Sequence, residues 1–155
     1  MKIEIYLDQK IYKESKRNSL KKNKNILVDM TISILHHGHI RLLKKASKLG
    51  KVIVALTRDK EVKKYKGYNP EIKFRHRKEI LMSIKYVDRV IPSNFRITNK
   101  FIQNNKVDLV IHGSDYSGDI SQKKIKIFKR TKDISSTKLR KKIHGNMKLL
   151  KNGRS

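Results

Sequence analysis

Four short apolar runs dominate the chain: ILVDM (Ile26–Met30), VIVAL (Val52–Leu56), VDRVI (Val87–Ile91) and VDLVIHG (Val107–Gly113). A weaker fifth, KIKIF, covers Lys124–Phe128. Each is too short for a core helix and rich in β-branched residues, as expected of a strand buried on both faces of a parallel sheet. The segments between them repeat apolar residues at helical spacing. Strands alternating with helices predict an α/β chain: a doubly wound, parallel five-stranded sheet with helices on both faces. Such sheets bind ligands beyond the carboxyl ends of the strands, where the strand order reverses.

The helical segments are marked by their own punctuation. Ile40, Leu42, Leu43, Ala46 and Leu49 share one face, and Gly50 suits the end of that helix. RDKEVKKYKGYNP reads as a short helix dissolving at Gly67–Pro70. KFRHRKEILMSIKY reads as a helix with Ile80, Leu81 and Ile84 inward, and Pro92 is expected to stop the third strand. A helix is expected over Ile97–Asn104, and another opens at SSTKLRKKI (Ser135–Ile143), with hydroxyls at its start. Length permits one domain with a sizeable core. Residues 25–145 carry it. Residues 1–24, with one short strand at Ile3–Leu7, read as a basic extension, and 146–155 as a basic tail.

The balance of 40 Lys+Arg against 13 Asp+Glu gives a net charge of +27 and points to anionic partners. The basic residues are spread along the whole chain, and a chain rich in Lys, Asn and Ile together can owe them to coding bias. Aromatics are few and do not interleave with the basic runs, so a base-stacking surface, and with it nucleic acid, is not expected. Residues 9–24 lack the apolar face of an interfacial helix, which argues against membrane contact. With no cysteine, disulfides and thiolate metal sites are excluded. No run reaches membrane-spanning length and none reads as a signal-peptide core, so the protein is expected to be soluble and cytoplasmic.

Two constellations sit where helices begin. His36-His37-Gly38-His39 joins the first strand to its helix. A helix N-terminus offers unpaired N–H groups and partial positive charge to a phosphate, and Gly38 permits close approach. An ordinary polar turn is the alternative, and zinc a weaker rival without a second ligand cluster. RTKDISSTKLR (Arg130–Arg140) offers a guanidinium and three hydroxyls, Ser135, Ser136 and Thr137; simple N-capping accounts for any one of them. HGSDYSG (His112–Gly118) follows a strand with small residues and an acid, as a ligand loop would.

Taken in order, HHGH, KYKG, RKEILMSIKYVDRVI, VDLVIHGSDY and RTKDISSTKLR resemble the cytidylyltransferases of the HxGH nucleotidyltransferase superfamily, above all the glycerol-3-phosphate and choline-phosphate branches. The resemblance covers roughly residues 25–143 and implies a Rossmann-like fold. It implies transfer of CMP from CTP to a phosphorylated alcohol with release of pyrophosphate, Mg²⁺ accompanying CTP, and a homodimer. Carried over by motif, His36, His39, Lys66 and Arg130 are catalytic. Thr31, Gly38, Arg77, Gly113, Asp115, Tyr116, Ile134, Ser135, Ser136 and Thr137 bind the nucleotide. Ser33, Lys85 and Asp88 support the site, and no side chain is assigned to a metal.

The sequence also departs from the family. MTIS (Met30–Ser33) stands for G-x-F-D, so its glycine and its acid are both replaced. Ser114 and Tyr116 stand for the first acid and the tryptophan of G-D-D-W, Lys85 for the arginine of R-Y-V-D, and Asp133 for the glycine of R-T-x-G-I-S. An adenylyltransferase of the same superfamily and a catalytically degenerate nucleic-acid-binding relative are the competing readings.

Overall fold

The computed structural model describes residues 23–113, 120–121 and 124–152, with side chains up to residue 148. Five strands form one parallel sheet: β1 (Asn25–Met30), β2 (Lys51–Thr57), β3 (Arg89–Ser93), β4 (Leu109–Gly113) and β5 (Ile125–Phe128). Their order is β3-β2-β1-β4-β5. The connections therefore reverse direction between β1 and β4, and the crevice at their carboxyl ends is where a ligand belongs. The helices are α1 (His37–Ser47), α2 (Asp59–Lys66), α3 (Phe74–Met82), α4 (Asn99–Asn104) and α5 (Ser136–Asn152).

Alternation along the strands divides the core in two. Ile26, Val28, Val54, Leu56 and Ile111 face α1 and α3, meeting Leu43, Ala46 and Leu81. Leu27, Ile53, Ala55 and Val110 face the other way and meet Ile102 of α4. Helices thus cover both faces, which is why β1 and β2 read as near-continuous apolar runs. The register of β1 on β2 runs from Asn25↔Lys51 to Met30↔Leu56.

Several boundaries differ from expectation. β3 runs through Pro92 to Ser93, although the sequence places its end at Ile91. It lies at the edge of the sheet, where a proline that lacks a backbone donor is tolerated. β4 begins at Leu109 because Val107 still belongs to the turn, where Lys106 has φ +51°. Ile80 is exposed; Leu81 alone of the expected trio is fully buried within α3, and Ile84 packs from the turn beyond it. α5 continues to Asn152, past the boundary expected at 145. The expected strand Ile3–Leu7 lies outside the described residues.

Asp88 and Asp108 close the opposite end of the sheet in the same way. Val52 N donates to Asp88 Oδ2 and Asn25 N to Asp108 Oδ2, each at 2.7 Å. The aspartates' own N–H groups return bonds to Val52 O and Asn25 O. Asp88 is therefore a structural clamp at the amino ends of β2 and β3. Lys85 lies in the turn entering β3, its Nζ 5.4 Å from the Tyr86 ring centroid.

Candidate active site

The chain leaves β1 through a sharp bend. Ile32, buried, has φ +45°, a conformation that costs a β-branched residue on the order of 1–3 kcal/mol. Its side chain is held in the core cluster, and Arg77 grips the residue before it. Arg77 is almost fully buried. Its Nη1 donates to Thr31 O, and its Nη2 donates to Thr57 O at 2.9 Å and Asp59 Oδ1 at 2.5 Å. Asp59 Oδ2 in turn accepts from Phe74 N, at the start of α3. Arg77, carried over as a nucleotide ligand, is placed as a brace between the ends of β1 and β2.

The bend delivers His36 to the N-cap of α1. His36 Nδ1 accepts from Gly38 N at 3.1 Å, and His39 Nδ1 accepts from His36 N at 3.3 Å. The two histidines thus form a reciprocal capping box, the arrangement usually built from Ser/Thr and Glu. Their rings lie 3.8 Å apart between centroids, tilted by 30°. A Cβ on Gly38 would stand 2.9 Å from Cε1 and Nδ1 of His36, so only glycine lets that ring fold over the helix end. Since both Nδ1 atoms accept backbone protons, the neutral rings carry theirs on Nε2.

Burial is the main cause that keeps both rings neutral. His39 is lowered to about 3 by burial first, then by His36, Arg130 and Lys66. His36 is lowered in the same sense by burial, His37 and Arg130. The site therefore presents two neutral imidazoles, each with an Nε2–H donor, in the field of two cations. His37 is exposed, its ring edge-on to His36 at 6.2 Å.

Lys66 reaches the same mouth from the end of α2. Its Nζ lies 3.2 Å from Thr31 Oγ1 and 5.7 Å from the Phe95 ring centroid. Gly67, at φ +74°, ends α2 immediately after it. From the other side, Ile134 packs against the start of α1, its Cγ2 being 3.4 Å from where a Gly38 Cβ would stand. Ser136 Oγ donates to Ile34 O at 3.0 Å, and Ser135 Oγ accepts from Lys138 N at 3.1 Å. These hydroxyls cap α5 and tie it to the bend before α1. Thr137 is exposed one residue further along α5. Asp133 has φ +62°, a left-handed conformation that glycine adopts without strain and aspartate tolerates.

The missing acid has a visible replacement environment. Ser33 is buried, its Oγ 3.3 Å from the Tyr68 hydroxyl. The Arg140 guanidinium covers the Tyr68 ring at 4.0 Å and pairs with both Glu71 oxygens through Nε and Nη2. That pairing is the main cause holding the Glu71 carboxyl below its usual range and raising Arg140. Tyr68, Glu71 and Arg140 thus strap the loop after Lys66 to α5. None was a candidate from sequence, because the strap joins positions 69 residues apart. Asp29 was not a candidate either, and His112, which opens the HGSDYSG run, was given no role of its own; their Oδ2 and Nε2 lie 3.7 Å apart across β1 and β4. His112 Nδ1 donates to Gly113 O at 3.1 Å. Gly113 ends β4 as expected, while Asp115 and Tyr116 lie outside the described residues.

This geometry gathers His36, Gly38, His39, Lys66, Thr31, Ile134 and the start of α5 at one end of the sheet. Residues 31–142 match the family described as Cytidylyltransferase-like. The chain belongs to that family. It is 33% identical over 127 residues to "Glycerol-3-phosphate cytidylyltransferase" of Bacillus subtilis (strain 168), covering 79% of this chain and 98% of that protein. It is 36% identical over 104 residues to "FAD synthase" of Pyrococcus abyssi (strain GE5 / Orsay), covering 66% of this chain and 70% of that one. Among solved structures, the lipopolysaccharide core biosynthesis protein from Thermoplasma volcanium GSS1 superposes with a TM-score of 0.59 at 26% identity, over 72% of this chain and 98% of the other. This Cytidylyltransferase-like chain is an enzyme of the nucleotidyl-transferring class, built on a Rossmann-like parallel sheet. No helix among the described residues is long and apolar enough to cross a membrane.

Proposed function

We propose that this protein transfers CMP from CTP to glycerol 3-phosphate or a closely similar phosphorylated alcohol and releases pyrophosphate. A phosphate oxygen of the acceptor attacks the α-phosphorus in line. The bond to the β-phosphate bridging oxygen breaks, and pyrophosphate carries away the electron pair. No covalent enzyme intermediate is needed, so the protein's contribution is positioning and stabilisation of the charge that crowds around one phosphorus. The two Nε2–H donors fixed by the capping box suit that task. Being neutral, they donate to phosphate oxygens without surrendering a proton. Lys66 and Arg130 supply the positive field, and the N-terminal N–H groups of α1 and α5 complete the cradle.

The family's reaction uses Mg²⁺, which would offset phosphate charge. Among the described residues no group of three His, Asp or Glu side chains could hold a metal ion, and Ser33 replaces the acid of G-x-F-D. A homodimeric state, implied by the family resemblance, and the cytoplasmic location expected from the sequence belong to the same proposal.

The observation that carries this reading is the reciprocal His36–His39 cap, which leaves both Nε2–H groups as donors beside Lys66 and Arg130. The kinship to an FAD synthase favours adenylyl transfer as the second reading. One pyrophosphate-release panel tests both, pairing CTP or ATP with glycerol 3-phosphate, choline phosphate, ethanolamine phosphate and riboflavin phosphate. Turnover with CTP and a phospho-alcohol is expected. Turnover confined to ATP would replace the proposal with the second reading.

A further inference from the structure

A cleft lies at the opposite end of the sheet from the histidines. It encloses about 470 Å³ between the amino ends of the strands and the end of α4, and its cations are Lys51, Arg89 and Lys106. In sequence these are separated by 38 and 17 residues. They meet because Lys51 opens β2, Arg89 opens β3 and Lys106 leads into β4. All three are exposed, and none is in an ion pair among the described residues. Asn25, Asn104 and Asn105 line the cleft between them with amide groups. Two carboxylates stand at this edge and both are engaged: Asp88, in the cleft, accepts the Val52 N–H, and Asp108 accepts the Asn25 N–H. Lys24 and Lys124, also exposed, precede β1 and β5 and extend the basic line along the same edge. The chain enters β1 here directly after KIYKESKRNSLKKNK, in which Glu14 is the one acid.

We propose that this amino-terminal edge docks the phosphate backbone of double-helical nucleic acid. The line from β3 to β4 spans about three inter-strand spacings, roughly 14 Å. A duplex presents one negative charge per roughly 1.7 Å of axis, so such a line faces several phosphates at once. A linear row of separated cations with amides between them suits a linear polyanion. Phosphate contact alone needs no aromatic platform, so the scarcity of interleaved aromatics, which argues against single-strand stacking, does not bear on this mode. Docking here leaves the histidine end of the sheet open, so nucleic acid need not compete with nucleotide.

The test is fluorescence anisotropy of the full chain with a labelled 20-bp DNA duplex, titrated over a range of salt concentrations. The Lys51→Gln/Arg89→Gln/Lys106→Gln triple variant is compared with Lys60→Gln/Lys78→Gln/Lys142→Gln, which removes the same charge from exposed helix positions. The edge variant is expected to lower the slope of log K against log salt by roughly 2.7, and the control by less than one. Should the edge triple fail to fold, Lys51→Gln/Lys106→Gln is expected to lower the slope by roughly 1.8. Equal losses in edge and control variants would reduce the effect to net charge and overturn the proposal. So would absence of duplex binding, or edge-dependent binding to anionic phosphatidylglycerol vesicles in place of the duplex.

Discussion

Replacing His36 with asparagine separates its two roles. His36 caps α1 through Nδ1 and presents Nε2–H to the site. Asparagine is among the best N-cap residues, because its side-chain oxygen accepts from the same first-turn N–H groups. It cannot place a donor where Nε2 stands. His36→Asn should therefore keep the fold's stability within about 0.5 kcal/mol, while turnover falls on the order of a hundredfold or more, the usual cost of one charge-stabilising donor. His36→Ala removes both functions. It should lose similar activity and in addition about 1 kcal/mol, because Gly38 N goes uncapped and the turn around His39 loosens. In a domain of this size that is a fall of about 3–5 °C in Tm. The assays are pyrophosphate release under saturating nucleotide and thermal unfolding of all three proteins. If His36→Asn retains turnover, the imidazole is a cap and nothing more, and the catalytic reading of the motif fails.

Two further outcomes follow from the same geometry. His39 stays neutral in the folded protein down to about pH 3, whereas the unfolded chain takes up its proton near 6.5. Stability should hold above pH 6.5 and decline as pH falls toward 3, by at most a few kcal/mol given partial solvent screening. Urea unfolding at pH 7 and pH 4.5 reads this decline; in His39→Gln it should shrink, and an unchanged decline would remove His39 as its source. Arg77→Met strands the Asp59 carboxylate and the Thr31 and Thr57 carbonyls, and should cost about 3–5 kcal/mol in the same experiment. A stable Arg77→Met protein that binds CTP poorly would restore the residue to the nucleotide site.

The sheet was legible because its strands carry the signal of two-sided burial, which depends on consecutive residues. The place of the histidines at the start of α1 was legible for the same local reason, as strand, glycine and helix lie within a few positions of one another; that they cap one another was not. Arg77 was picked out by the resemblance alone, because in so basic a chain nothing local marks one arginine as buried. Its burial depends on the carbonyls of Thr31 and Thr57, which converge only once β1 and β2 pair. The Tyr68–Arg140–Glu71 strap and the cations at the amino edge are of the same kind. Each is assembled from residues that topology, and not spacing, brings together.

The departures from the family's pattern fall into two groups with different consequences. Asp133 keeps the left-handed turn that glycine would make, and Met30 joins the buried core at the end of β1, so neither disturbs the backbone that presents α1 and α5. Ser33 is different, because it exchanges a charge for a hydroxyl at a buried position. Its hydroxyl lies 3.3 Å from the Tyr68 hydroxyl, on the ring that the Arg140 guanidinium covers. Arg140 is committed to Glu71, and Ser33, through Tyr68, ties the same strap to the active-site bend. With serine in place of the acid, the buried position beside Tyr68 carries no charge.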